Sequence, residues 1–132
     1  MKKTSHWSKL KEEIDTVVAF AKTKGAISFA GVGTCWGSYP VVRMSATNLL
    51  SCGVSMHPSH GILGNILGEE EIDMLRNIKV PQLFMPCGND PESLKEGGLS
   101  SQILKDNLKI IEFPNMQHGF TGRGGKGILY AE

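Results

Sequence analysis

The fold turns on the stretch Ala26-Ile27-Ser28-Phe29-Ala30-Gly31-Val32-Gly33-Thr34-Cys35-Trp36-Gly37. Residues 26–32 are apolar at nearly every position, as expected of a strand buried on both faces of a parallel sheet. From Tyr39 onward the pattern suits a helix. Strand, Gly-x-Cys-x-Gly, helix is the layout of a sharp turn that raises a nucleophile above the end of a sheet. Such a turn strains the nucleophile's backbone and requires small residues two before and two after it, which Gly33 and Gly37 supply. Cys35 would then stand at the N-terminus of the next helix, where the helix dipole favours a thiolate. A cysteine buried at a Gly-rich strand exit has the same local pattern, so the rest of the chain must separate the two.

Outward from that turn, the apolar runs alternate in length and period. Leu10, Ile14, Val17, Val18 and Ala21 recur at helical spacing. They predict a helix from a Ser8 cap to about Thr23, ended by Gly25, with Trp7 stapled outside its first turn. A second helix is expected through residues 41–50, with Pro40 in its first turn. A short strand over 52–56 runs into the loop His57-Pro58-Ser59-His60. Residues 61–68 are punctuated by glycine and read as irregular, and 69–77 as a short helix. Residues 82–87 form a strong strand that Pro86 should end near Met85. Gly88-Asn89-Asp90-Pro91 is a turn. A helix over 100–107 and a last strand over 109–113 follow, then the loop holding His118. Strands alternating with helices imply an α/β fold with a parallel sheet.

Composition bounds the function. A chain of 132 residues is one domain by length. A net charge of +1 gives no field for nucleic acid, and no apolar run reaches membrane-spanning length. Lys2 and Lys3 are followed by Glu12, Glu13 and Asp15 before any apolar run, which does not read as a secretion signal. The 3 cysteines, Cys35, Cys52 and Cys87, form no CxxC pair and leave an odd thiol. That favours a reducing, cytoplasmic setting over a disulfide framework or zinc site. Cys52 and Cys87 read as small buried apolar residues, and His6 as exposed.

Cys35, Asp90 and His118 each fall just after a predicted strand, at the sheet edge where ligands bind in open parallel sheets. Their order, nucleophile, acid, histidine, is that of an α/β-hydrolase. In that arrangement Cys35 attacks a carbonyl carbon, His118 moves the proton, and Asp90 orients the imidazole. The Trp36 N–H is the expected oxyanion donor. Taken singly, Asp90 also suits a plain turn and His118 a surface loop; the coincidence of three strand ends favours the triad. His57 and His60 lack a third ligand at suitable spacing, so no metal is expected, and they are read as lining the site. Arg123 is either solvated or a clamp for a substrate carboxylate.

Gly33-Thr34-Cys35-Trp36-Gly37, Gly53-Val54-Ser55-Met56-His57-Pro58-Ser59, Val80-Pro81 with Gly88-Asn89-Asp90, and His118-Gly119-Phe120-Thr121-Gly122-Arg123 together resemble the dienelactone hydrolase family. The resemblance implies a partial α/β-hydrolase fold of about four parallel strands with flanking helices over residues 8–123, and a tail over 124–132. It implies a hydrolase of small esters or lactones that works through an acyl-cysteine and needs no cofactor. Cys35, Asp90 and His118 would be catalytic, and Arg123 would contact a substrate carboxylate. The family carries further strands, a second oxyanion donor and a glutamate ahead of the helix that begins here near Ser8. The strand at 26–32 would therefore become an uncovered edge, and one face near the last strands would lack its covering helix. A homo-oligomer or a complementing chain is the expected partner. The alternative is a non-catalytic interaction subunit with a vestigial triad. A redox sensor ranks last, since no resolving thiol lies near Cys35 in sequence.

Overall fold

The computed structural model describes residues 6–122. Helix α1 (His6–Thr23) leads to strand β1 (Phe29–Thr34), and a single 3₁₀ turn, Cys35–Gly37, joins it to α2 (Ser38–Ser45). Then come β2 (Leu50–Met56), α3 (His60–Leu67), α4 (Glu71–Arg76), β3 (Gln82–Met85), α5 (Leu99–Leu104) and β4 (Leu108–Ile110). The four strands form one parallel sheet in the order β1-β2-β3-β4. Because successive parallel strands are joined by right-handed crossovers, a sheet that grows in one direction carries its crossover helices on one face.

The core lies on that face. Phe84 of β3 is fully buried among Tyr39, Val42, Met74, Leu75, Ile78, Leu94 and Leu104. Side chains alternate across a sheet, so the residues between point the other way. Val32, Val54 and Leu83 lie side by side in register, and Val32 remains 65% exposed. β1 is an edge strand, and Ala30, Val32 and Thr34 along it are exposed. The expectation of an edge at β1 is met. The helix expected to be lacking near the last strands concerns a region followed by residues outside the described ones. The expectation that β1 is buried on both faces is not met, because among the described residues nothing covers Ala30, Val32 and Thr34.

Other corrections are local. α1 begins at His6, with Trp7 inside it rather than outside. The indole packs edge-on against Tyr39, 6.1 Å between ring centres, and the Arg43 guanidinium lies 4.8 Å above it. Arg43 also pairs with Glu69 at 3.0 Å, and the Tyr39 hydroxyl donates to the same carboxylate. Burial and that carboxylate push Tyr39 up to about 12. α2 ends at Ser45, and Leu50 already belongs to β2. Residues 61–68 read as irregular, but helix α3 runs His60–Leu67. Its glycines serve packing: a Cβ on Gly64 would meet the Met74 methyl at 2.3 Å. Only Gly68, at φ 80°, ends the helix in the left-handed conformation. β4 stops at Ile110, with one isolated bridge, Cys87 to Phe113, continuing its line.

Candidate active site

The turn after β1 has the strain its sequence implies. Cys35 sits at φ 52°, where a side chain rarely goes. A Cβ on Gly33 would lie 2.2 Å from the Gly37 carbonyl oxygen, so only glycine fits there. Gly37 is different: a Cβ there meets nothing within 4 Å. The demand for smallness thus falls on one side of the turn among the described residues. The turn is pinned from α2 and from the loop after β2. Ser38 Oγ donates to the Cys35 carbonyl at 2.7 Å and accepts the Ser59 N–H at 2.9 Å.

Asp90 arrives from the loop after β3. Its carboxylate is buried and accepts the Cys87 N–H at 2.8 Å through Oδ2. The other oxygen, Oδ1, accepts from His118 Nδ1 at 2.6 Å. His118 arrives from the loop after β4, and its Nε2 lies 3.1 Å from Cys35 Sγ. Carboxylate, imidazole and sulfur therefore form one hydrogen-bonded line at the C-terminal ends of the strands.

Electrostatics follow from this line. Burial opposes ionisation of Cys35. Hydrogen bonds with His118, Ser59 and the Trp36 N–H, and the charge of His118, outweigh it and hold the thiol below its ordinary value. Burial likewise opposes a charged His118, but its contacts with Cys35 and Asp90 raise it above the usual imidazole value. Cys87 goes the other way: burial and the neighbouring Asp90 push it up to about 11, so it stays a thiol.

The remaining sequence candidates divide. The Trp36 N–H is among the groups that hold the Cys35 thiol low, and Trp36 itself is 58% exposed. His57 is buried beside the line, its ring centre 4.8 Å from that of His118, with Nε2 2.6 Å from Thr121 Oγ1. His60 is buried too but points away, with Nε2 3.4 Å from a Glu71 oxygen. The two histidines of the loop do not act together. Cys52 is half-buried rather than buried. Arg123 lies outside the described residues.

Two residues were not singled out from sequence. Ser59 Oγ donates towards Cys35 Sγ at 3.7 Å and lies 3.3 Å from His118 Nε2. Asn89 Oδ1 accepts the His118 N–H at 2.7 Å and the Cys87 thiol at 3.2 Å, tying the two loops together. The signal for Asn89 was the Gly-Asn-Asp turn itself, whose middle residue is free to reach a neighbouring backbone.

Solved structures share this architecture. An acylaminoacyl peptidase in complex with Z-Gly-Gly-Phe-chloromethyl ketone matches with a TM-score of 0.68 at 15% identity, over 94% of this chain and 25% of that one. The orthorhombic form of Pyrococcus horikoshii acylaminoacyl peptidase matches at 0.66 and 15% identity, over 89% of this chain and 24% of that one. No curated protein matches the chain. Four parallel strands with flanking helices and these neighbours define part of an α/β-hydrolase fold, and the chain spans about a quarter of the length of those structures. The model of the dienelactone hydrolase family matches residues 1–132, and the chain belongs to that family.

Proposed function

We propose that this chain hydrolyses small esters or lactones through a Cys-Asp-His triad. The Cys35 thiolate attacks the carbonyl carbon, and the Trp36 N–H stabilises the oxyanion that forms. His118 gives the proton it holds to the leaving alkoxide, leaving an acyl-cysteine. His118 then takes a proton from water, whose oxygen attacks the thioester, and thiol and acid are released. Asp90 holds the ring in the tautomer that faces sulfur and steadies its charged form. His57 lines the pocket beside the ring, and Arg123 contacts a substrate carboxylate. No cofactor takes part.

The reading is carried by the line Asp90 Oδ1 to His118 Nδ1 at 2.6 Å and His118 Nε2 to Cys35 Sγ at 3.1 Å. It is tested with a p-nitrophenyl ester. Wild type should show a burst of p-nitrophenol and a trapped acyl group on Cys35 by mass spectrometry. Turnover that persists in Cys35→Ala would refute it.

A second reading has its own support in the exposed edge. Val32 of β1 is 65% exposed and Ile27 just ahead of it 98% exposed, beside an open cleft of ≈ 270 Å³ between α1 and β1. A partner that adds backbone to β1, a second copy or a complementing chain, would cover both. In that reading the chain serves assembly and the triad is vestigial. Cys35 alkylation no faster than that of a free thiol would favour it.

A further inference from the structure

We propose that Cys35, His57 and His118 form a site for a single zinc ion. One ligand-capable atom from each of these residues lies within 4.8 Å of the others. Zinc bonds of about 2.0–2.3 Å to nitrogen and sulfur place tetrahedral ligands roughly 3.3–3.8 Å apart, so the widest separation in the set must shrink by about 1 Å on binding. The Cys35 Sγ to His118 Nε2 distance of 3.1 Å is just under that spacing and opens slightly on binding.

The surroundings suit a metal. Asp90 accepts from His118 Nδ1 and so turns Nε2 towards the sulfur, the carboxylate–histidine pairing that orients ligating imidazoles. Thr121 Oγ1 holds His57 through Nε2 at 2.6 Å. Two histidines and one cysteine with an open fourth position for water is a soft, nitrogen-rich set that selects zinc over magnesium or calcium. A rival set, Cys87, Asp90 and His118, also lies within 4.8 Å. It is disfavoured because Cys87 is only 2% exposed and its thiol is engaged by Asn89 at 3.2 Å. His57 and His60 could not show this site in the sequence, since the first and fourth residues of the loop meet different neighbours, His118 and Glu71.

Binding forms one Zn–S and two Zn–N bonds. It breaks the hydrogen bond between sulfur and His118, and the proton held there leaves to solvent; nothing is oxidised or reduced. The bound ion occupies the sulfur and imidazole lone pairs that hydrolysis requires. Zinc is therefore a reversible inhibitor of the proposed hydrolysis. That consequence rests on the proposed function, whereas the binding does not.

Cobalt(II) added to the intact chain provides a readout that needs no activity. We expect one ion per chain, an intense thiolate-to-cobalt charge-transfer band, and its removal by stoichiometric zinc. The band should vanish in Cys35→Ser and persist in Cys87→Ser, and His57→Asn should weaken affinity at least about tenfold. No band, a band that survives Cys35→Ser, one lost in Cys87→Ser, or full affinity in His57→Asn would each overturn the site. If variants fail to fold, zinc protection of the wild-type thiols decides. Cys35 alkylation should slow at least about tenfold while Cys52 is unaffected, and unprotected Cys35 refutes the proposal.

Discussion

His118 Nε2 stands 3.1 Å from Cys35 Sγ although 83 residues separate them in the chain. Two loops achieve this. The turn after β1 thrusts the sulfur up at a positive φ, and the loop after β4 leans back, tied to Asn89. Cys35 opens the 3₁₀ turn and His118 lies in a loop, so the sheet acts as the frame that aims them.

Alkylation kinetics should show the coupling directly. Thiolate is the reactive form, so the rate rises with pH through the Cys35 pKa. Because that pKa is lowered, the midpoint for Cys35 should fall at lower pH than for a free thiol. His118→Ala removes the hydrogen bond and charge that lower it and should move the midpoint up. Cys87, at about 11, should stay unmodified across the neutral range. Iodoacetamide labelling followed by peptide mass spectrometry measures all three.

Ester turnover should respond to the line as a unit. Cys35→Ala and His118→Ala should each lower kcat by on the order of 10⁴-fold or more, and Asp90→Asn by on the order of 10³–10⁴-fold. The double variant Cys35→Ala, His118→Ala should be no worse than either single one. Independent, multiplying losses in initial-rate assays would contradict shared action.

The two glycines of the turn should behave unequally. Gly33→Ala forces a Cβ to 2.2 Å from the Gly37 carbonyl oxygen and should cost about 1–3 kcal/mol or more. Gly37→Ala adds a methyl to open space at helical backbone angles, φ −60° and ψ −17°, and should change stability by less than about 0.5 kcal/mol. Urea midpoints for the two variants test the contrast.

Glu71 should contribute to acid lability. Burial penalises its charge, but the hydrogen bond and charge of His60, with the Ser93 hydroxyl, hold its carboxyl below the usual 4.5. A carboxyl lowered in the fold stabilises above its unfolded value and loses that contribution as pH falls through the folded one. Glu71→Gln should therefore be less stable than wild type near neutral pH, and the gap should shrink towards about pH 3. Parallel urea titrations at the two conditions check the sign.

The β1 edge should associate. Sedimentation velocity over a dilution series should show assemblies for wild type, and Val32→Lys, which charges a residue 65% exposed on that strand, should weaken them at least about tenfold. A wild-type monomer at every concentration would leave the edge without a partner of its own kind.

The α/β class, the parallel sheet of about four strands and the strand ends that carry Cys35, Asp90 and His118 were legible in the sequence. Period, glycine spacing and strand-end position are local properties of the chain, and local sterics at Gly33 enforce the turn whatever else surrounds it. Only the tertiary structure decided what depends on neighbours distant in sequence. It turned residues 60–67 into a helix, because Gly61 and Gly64 could pack against Glu71 and Met74. It put Trp7 inside α1 against Tyr39 and Arg43. It sent His57 to the sulfur's side and His60 to Glu71, a division no spacing reveals. A backbone's own preferences choose its elements, but the direction a side chain faces is settled by which surfaces the folded sheet leaves for it.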